Sequence, residues 1–136
     1  MIVEVKVLVL AALLQAIQFF LMAVPVNMEV GTKKTASSRD PEKLGGSIQS
    51  QVSVRTGRLI RALNNHFEAL ILFTIAVVAI ALSDQSTALT QTCAWVYLLA
   101  RVLYVPAYAF DWVPWRSVIW GAGFFATLVM LIAALV

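Results

Sequence analysis

Long apolar runs dominate the chain, and four of them are long enough to cross a membrane. A transmembrane helix needs about 20 mostly apolar residues. The runs lie at about 5–26, 57–82, 88–110 and 116–136, and none shows the period-two alternation of a half-buried strand. Only helices and closed barrels satisfy their backbone hydrogen bonds within lipid. The pattern therefore predicts a single all-α domain that takes in the whole chain, an integral membrane four-helix bundle.

A polar segment at about 27–56 separates the first two runs. It is rich in Ser, Thr and Gly and has no periodicity, which predicts a loop. Between residues 27 and 58 there are six lysines and arginines against three acids, so the positive-inside rule places this loop in the cytoplasm. The short turn before Arg116 then faces the cytoplasm too. The tryptophans around that turn are typical of an interfacial belt; they are Trp112, Trp115 and Trp120.

Composition supports the membrane assignment. The chain is 61% hydrophobic and 12% charged, with a mean hydropathy of +0.87, whereas soluble domains are about 45–50% apolar and about 25% charged. The net charge is +3, but the basic residues lie in one loop or at helix ends and form no exposed basic face. Nucleic acid is therefore not an expected partner, and the lipid bilayer is.

Four polar residues share one face of the second predicted span. Arg58, Arg61, Asn65 and Glu68 are spaced i, i+3, i+7 and i+10, which at about 100° per residue places them in a sector about 80° wide. On insertion scales, a charged side chain at mid-membrane costs roughly 2.5–3.5 kcal/mol, and such groups nearly always face a bundle interior or a wet cavity. We therefore expect this stripe to line a cavity.

The third and fourth spans carry a matching set of polar residues. Arg101, Tyr104 and Tyr108 are spaced i, i+3 and i+7 on one helix face, and Arg116 and Ser117 open the fourth span. Together with the stripe on the second span, they predict one cationic, hydrogen-bonding pocket that opens to the cytoplasm.

Two interpretations of this set remain open on spacing alone. In the structural one, Glu68 pairs with Arg61 or Arg101, and Asn65 bridges two helices. In the functional one, the excess of four arginines over one carboxylate calls for an anionic ligand. Guanidinium groups bind carboxylates well because their planar donors match both oxygens.

The stretches that contain these residues resemble the MAPEG family, the membrane-associated proteins in eicosanoid and glutathione metabolism. "RLIRALNNHFEA" is similar to the second-helix signature R-A-x-x-N-x-x-E, and "RVLYVPAYAFDWVPWRSVIW" is similar to the family's third-helix and fourth-helix segment. In that second segment a Tyr follows the Arg by seven residues, and Pro-x-Arg-Ser comes next. The resemblance covers all four spans in order and length, and the chain looks most like the small bacterial members.

The resemblance implies a homotrimer of four-helix subunits, multi-pass in a bacterial inner membrane, with glutathione bound between neighbouring subunits. Arg61, Asn65 and Glu68 would hold the polar ends of the tripeptide, with Glu68 near its ammonium group. The expected glutathione-binding residues are Arg58, Arg61, Asn65, Glu68, Arg101, Tyr104 and Tyr108. Arg116 matches the family's thiol-activating arginine and would stabilise the thiolate, with the catalytic candidate Ser117 beside it.

The function implied is that of a glutathione-dependent membrane transferase or peroxidase acting on a lipophilic small molecule. One alternative is a non-catalytic protein of the same fold that binds lipid or glutathione. Another is a transporter or channel subunit, since buried arginines also mark ion pathways, although the chain has no internal inverted repeat.

Two further residues are assigned structural roles. His66 lies off the polar stripe and is expected to form a hydrogen bond either between helices or at the membrane interface, and Cys93 is expected to pack in the core. One histidine and one cysteine cannot build the common metal sites, so the only small-molecule requirement predicted is glutathione as co-substrate.

Overall fold

Four long helices form the protein in the computed structural model, which describes all 136 residues. They are α1 (Val3–Val30), α4 (Val54–Ser83), α5 (Ala88–Ala109) and α6 (Trp115–Leu135). Each is long and apolar enough to cross a membrane, and no strand is present. The chain is an all-α integral membrane four-helix bundle, as the apolar runs predict.

The segment at 27–56 is more ordered than the predicted loop. α1 continues to Val30 and α4 begins at Val54, so both ends of the segment are helical. Between them lie three helical turns, α2 (Thr32–Thr35), α3 (Pro41–Leu44) and a 3₁₀ turn (Ile48–Gln51). Hydrophobic periodicity does not reveal turns of four residues, because local side-chain and backbone hydrogen bonds determine them.

Side-chain caps fix the starts of two bundle helices. The Ser53 hydroxyl accepts the Thr56 N–H at 3.2 Å ahead of α4. At α5, Thr87 accepts the Thr90 N–H at 3.3 Å, and Thr90 accepts the Thr87 N–H at 2.9 Å, a reciprocal capping box. α4 ends at Ser83, and the next residue, Asp84, adopts a left-handed conformation, so only a short turn separates α4 from α5 and the two run antiparallel.

A buried carboxylate joins α1 to that turn at one end of the bundle. Glu4 is fully buried. The Ser86 hydroxyl donates to both of its oxygens at 2.9 Å, and the Thr90 hydroxyl donates at 2.5 Å. The start of α1 is thereby fastened to the start of α5.

The opposite end brings the beginning of α4 next to the α5–α6 turn. Arg58 forms an ion pair with Asp111 at 3.5 Å, and the Arg55 guanidinium lies 5.3 Å from the centre of the Phe110 ring. The polar stripe on α4 and the residues that open α6 therefore lie at the same end of the molecule.

All four helices contribute to one hydrophobic core. Its fully buried members include Val7 from α1, Phe73 from α4 and Met130 from α6. Cys93 packs in this core, which confirms its structural assignment. The Phe73 and Tyr97 rings stack with their centroids 3.9 Å apart, and this packing sets the spacing of α4 and α5 beneath the polar stripe.

Close packing of α5 and α6 depends on Gly123. A Cβ at this position would lie 3.4 Å from the Ala100 Cβ and 3.8 Å from the Tyr97 ring. Gly123→Leu should therefore push the helices apart and lower stability by about 1–3 kcal/mol, the usual cost of overpacking. Gly121→Leu is the matched control, because a Cβ at residue 121 meets nothing within 4 Å. Thermal unfolding in detergent measures the difference, and equal melting temperatures for the two variants would contradict it.

Candidate functional site

Arg101 is the most deeply buried charged side chain among the predicted site residues. It lies on α5 and is 2% exposed. Its Nη1 donates to Asn65 Oδ1 at 3.1 Å, and its Nε donates to His66 Nδ1 at 3.3 Å. The guanidinium carbon lies 4.5 Å from the centre of the Tyr104 ring. Two residues of α4 and one of α5 thus hold a cation that has no carboxylate partner.

His66 extends this arrangement to a third helix. The imidazole is fully buried, and its Nε2 lies 3.1 Å from the Ala11 carbonyl oxygen on α1. Because Nδ1 accepts a hydrogen bond from Arg101, the ring proton lies on Nε2 and is donated to Ala11. The helix–helix hydrogen bond predicted for His66 is confirmed, and it orients the Arg101 guanidinium as well.

One nitrogen of Arg101 is left without a partner. Its Nη2 is buried and forms no hydrogen bond, although Arg101 lines a cavity. Buried donors are nearly always satisfied in native proteins, so this nitrogen is an unsatisfied donor in a residue that lines the cavity.

Tyr108 lies between two arginines. Arg61 Nε donates to the Tyr108 hydroxyl at 3.1 Å, and the Arg116 guanidinium carbon lies 5.0 Å from the centre of the ring. The Tyr104 and Tyr108 rings meet edge to face at 5.6 Å. The aromatic pair therefore separates Arg61, Arg101 and Arg116 while keeping all three on one side of the bundle.

Two adjoining cavities lie among these residues. The first, of about 190 Å³, we call the Arg101 cavity; it is lined by Asn65, Glu68, Ala69, Leu72, Tyr97, Arg101, Trp120, Gly123, Phe124 and Thr127. The second, of about 300 Å³, we call the Arg116 cavity; it is lined by Asn65, Tyr104, Tyr108, Arg116, Ser117 and Trp120. They share Asn65 and Trp120, so they adjoin each other.

Glu68 forms no ion pair within the chain. Only two ion pairs are present, Lys43 with Asp40 and Arg58 with Asp111. The structural interpretation, in which Glu68 pairs with an arginine, is not realised, whereas the predicted bridge through Asn65 is. Glu68 is exposed at the edge of the Arg101 cavity, so its charge is free to meet a cationic group.

Seven of the nine predicted site residues line the two cavities, and two do not. Arg61 contacts the site through the Tyr108 hydroxyl. Arg58 instead pairs with Asp111, away from both cavities. No group of three or more potential metal ligands occurs.

Sequence reasoning missed the aromatic wall of the site. Trp120, assigned to an interfacial belt, lines both cavities, and Phe124 stacks on it with ring centroids 5.1 Å apart. Their spacing of four residues places them on one face of α6, which was the available signal. That face is also the one on which Arg116 opens the helix, so the catalytic candidate and the aromatic wall belong to the same element.

Comparison with known proteins gives one finding. The sequence model of the MAPEG family matches residues 7–136, nearly the whole chain. None of the curated proteins compared with the chain matches it significantly.

Proposed function

Because the chain belongs to the MAPEG family, whose members generally carry out glutathione-related transferase or peroxidase chemistry, we propose that it is a glutathione-dependent membrane enzyme. It would conjugate or reduce lipophilic electrophiles through a glutathione thiolate held at Arg116. The observation that carries the proposal is the pair of adjoining cavities, which are lined by two arginines and one glutamate that do not pair with one another.

The charges of these cavities complement those of glutathione. The tripeptide has two carboxylates, one ammonium group and one thiol. Arg101 offers a buried free Nη2 to a carboxylate, and Glu68 offers an unpaired carboxylate to the ammonium group. Charge-assisted hydrogen bonds of this kind are about twice as strong as neutral ones, so both ends of the ligand would be anchored.

Arg116 and Ser117 would then act on the thiol. Both line the Arg116 cavity. A free cysteine thiol has a pKa of about 8.5, and the thiolate is the nucleophile. A reduction of two pH units requires about 2.7 kcal/mol of preferential stabilisation of the charged form. A nearby guanidinium and a hydroxyl donor, partly removed from water, are suited to supply it.

The acceptor would approach along the apolar side of the site. Leu72, Trp120 and Phe124 line the Arg101 cavity and are at least partly exposed on the surface of the helices. A lipophilic electrophile dissolved in the bilayer would reach the thiolate there without crossing water.

In conjugation, the sulfur lone pair would form the new S–C bond while a leaving group departs with its bonding electrons, or while the π electrons of an activated double bond shift onto its electron-withdrawing group. In reduction of a peroxide, the sulfur would take one oxygen as the O–O bond breaks, and a second glutathione would convert the sulfenic product to glutathione disulfide and water. In both cases the thiol proton would already have passed to solvent.

A second copy of the chain would complete the site. Glu68 and Trp120 are exposed in the single chain although they line the cavities. In the homotrimer that the family resemblance implies, the neighbouring subunit would cover them and close the site around glutathione.

Glutathione binding to the purified, detergent-solubilised protein tests this function. We expect one glutathione per subunit, with a thiol that ionises about two pH units below the free thiol, because Arg116 stabilises the thiolate. The ultraviolet absorbance of the thiolate, followed as pH is varied, reports the ionisation. Binding without this shift would favour the non-catalytic alternative. Absence of binding at millimolar glutathione would exclude both the glutathione-dependent enzyme and a non-catalytic protein that binds glutathione.

A further inference from the structure

A third cavity lies outside the glutathione site, on another face of α4. It has a volume of about 510 Å³, within the range of about 300–1,000 Å³ that is usual for small-molecule pockets. Asn64 lines this cavity, whereas its neighbour Asn65 lines the glutathione site. Successive residues of a helix point about 100° apart, so the two sites are separated by the helix itself.

The walls of this cavity divide into an apolar and a polar part. Phe19, Met22 and Val26 from α1 and Ile60 from α4 form the apolar part. The polar part comes mainly from the segment between α1 and α4, which contributes hydroxyl and amide groups together with one cation, Arg39. A ligand that fits both parts has an apolar chain and a polar, anionic head.

Arg39 is held in place by its backbone and by one side-chain nitrogen. Its φ of 62° is left-handed, and its Nε donates to the Thr35 carbonyl oxygen at 2.7 Å. Its terminal guanidinium nitrogens form neither a hydrogen bond nor an ion pair within the chain. The neighbouring acid, Asp40, pairs with Lys43 instead, so the positive charge of Arg39 is uncompensated.

The cavity is built into the fold, because the segment above it is fastened to α1 and α4. The Thr35 hydroxyl donates to Asn27 Oδ1 at 2.5 Å. Ile48 is buried against Val26 and Ile60 in a small second core. The cavity therefore lies between the helices α1 and α4 and a segment that is held against them.

Its position along α1 places it at the membrane boundary. α1 has 28 residues, which corresponds to about 42 Å at about 1.5 Å per residue, whereas the hydrocarbon core is about 30 Å thick. The apolar run of α1 ends at about Val26, and Asn27 and Glu29 follow in its last turn, so this end of α1 emerges from the hydrocarbon region. The cavity runs along α1 from Phe19 to Asn27. Its apolar part therefore lies at the level of the lipid tails, and its polar part lies towards the water.

We propose that this cavity binds one anionic amphiphile, with its hydrocarbon chain against Met22, Val26 and Ile60 and its phosphate or carboxylate at Arg39. The segment between α1 and α4 thereby forms the headgroup site of a bound lipid. This assignment is independent of glutathione, because no residue that lines the cavity belongs to the glutathione site.

Native mass spectrometry of the protein released from phosphatidylcholine nanodiscs tests the proposal. One arm contains a small fraction of phosphatidylglycerol and the other contains oleate, so the two arms distinguish a lipid phosphate from a free carboxylate. We expect one anionic amphiphile per subunit to be retained in at least one arm. Retention of neither in preference to phosphatidylcholine would overturn the proposal.

Three variants locate the retained molecule. Arg39→Gln should reduce retention about tenfold, as expected for the loss of one charge-assisted contact. Ala23→Phe, which places a larger side chain in the cavity, should reduce retention as much. Lys33→Gln is the matched control, because it removes a positive charge from the same segment but lies outside the cavity. An equal loss in Lys33→Gln, or no loss in Ala23→Phe, would show that general electrostatic attraction accounts for retention.

Discussion

Replacement of Arg116 with glutamine should lower turnover at pH 6 by about tenfold, with a smaller loss at higher pH. If Arg116 holds the pKa of the bound thiol about two units below 8.5, its removal at pH 6 lowers the thiolate fraction about 75-fold. The more basic thiolate is intrinsically more nucleophilic, with a Brønsted coefficient of about 0.4–0.5, which returns roughly eightfold of that loss. Loss of ionisation dominates at low pH, and the two effects compensate at about pH 7.6, above which the variant should react as fast as the wild type or faster.

The pH profile of single-turnover rates with a lipophilic electrophile measures this effect. In the wild-type protein, the thiolate form predominates above the lowered pKa of the bound thiol and is lost as the pH falls through that value. Because this pKa is higher in Arg116→Gln, the pH profile of the variant should move to higher pH. Arg116→Lys is the matched control, because it retains the positive charge and should shift the profile less. Glutathione affinity should change little in both variants. A rate reduced by the same factor at every pH would show that Arg116 positions the substrate instead of ionising the thiol.

Replacement of His66 with leucine should cause the largest loss of stability of any single change at the site. It leaves the Ala11 carbonyl and Arg101 Nε without their buried partners. Each unsatisfied group costs about 1–3 kcal/mol, so the loss should be roughly 2–6 kcal/mol. Thermal unfolding in detergent should show a melting temperature lower by about 10 °C or more.

His66→Gln separates packing from hydrogen bonding. The glutamine amide has one acceptor for Arg101 and one donor for Ala11, so it should restore much of the stability that leucine loses. If Arg101 is oriented through His66, the leucine variant should also bind glutathione more weakly, and the glutamine variant should recover part of that affinity. Equal stability of the two variants would mean that the imidazole acts only by filling space.

The sequence predicts the bundle well and indicates which polar residues meet between its helices, for clear physical reasons. Four apolar runs near 20 residues leave few alternatives in lipid. The spacing of Asn65 and Glu68 on one helix face, and that of Arg101 and Tyr108 on another, brings them together once two helices pack. Residue spacing predicts which side chains share a face of a regular helix, because helix geometry is fixed.

The choice of partners could not be predicted from spacing. Arg101 bonds to Asn65 and His66 and not to Glu68, although all three lie within one turn of α4. The rotation of one helix against another by a few tens of degrees decides between such neighbours, and packing of the core sets that rotation. Arg58 belongs to the same stripe by spacing, yet pairs with Asp111 from a turn whose path the sequence does not specify.

The segment at 27–56 illustrates a different limit. Its local turns are held against one another and against the bundle by contacts between residues far apart along the chain, such as Lys34 with Gln51 at 2.9 Å and Ile48 with Val26 and Ile60. No periodic pattern in the sequence predicts such contacts, because each contact depends on a single pair of side chains. Sequence reasoning therefore predicted only a basic loop, whereas the structure shows helical turns in the segment and a cavity between it and the helices.

The two ends of this segment are joined to each other at its base. Glu29 at the end of α1 accepts the Ser53 N–H at 2.6 Å and also bonds to the Thr56 hydroxyl at the start of α4. With the ends held together, a change in the length of the intervening chain adds little closure entropy, about 0.6 kcal/mol per doubling. The chain between these two ends can therefore be shortened, lengthened or replaced while α1 and α4 keep their positions relative to each other. A change in the segment that covers the proposed lipid cavity would therefore leave the candidate glutathione site in place.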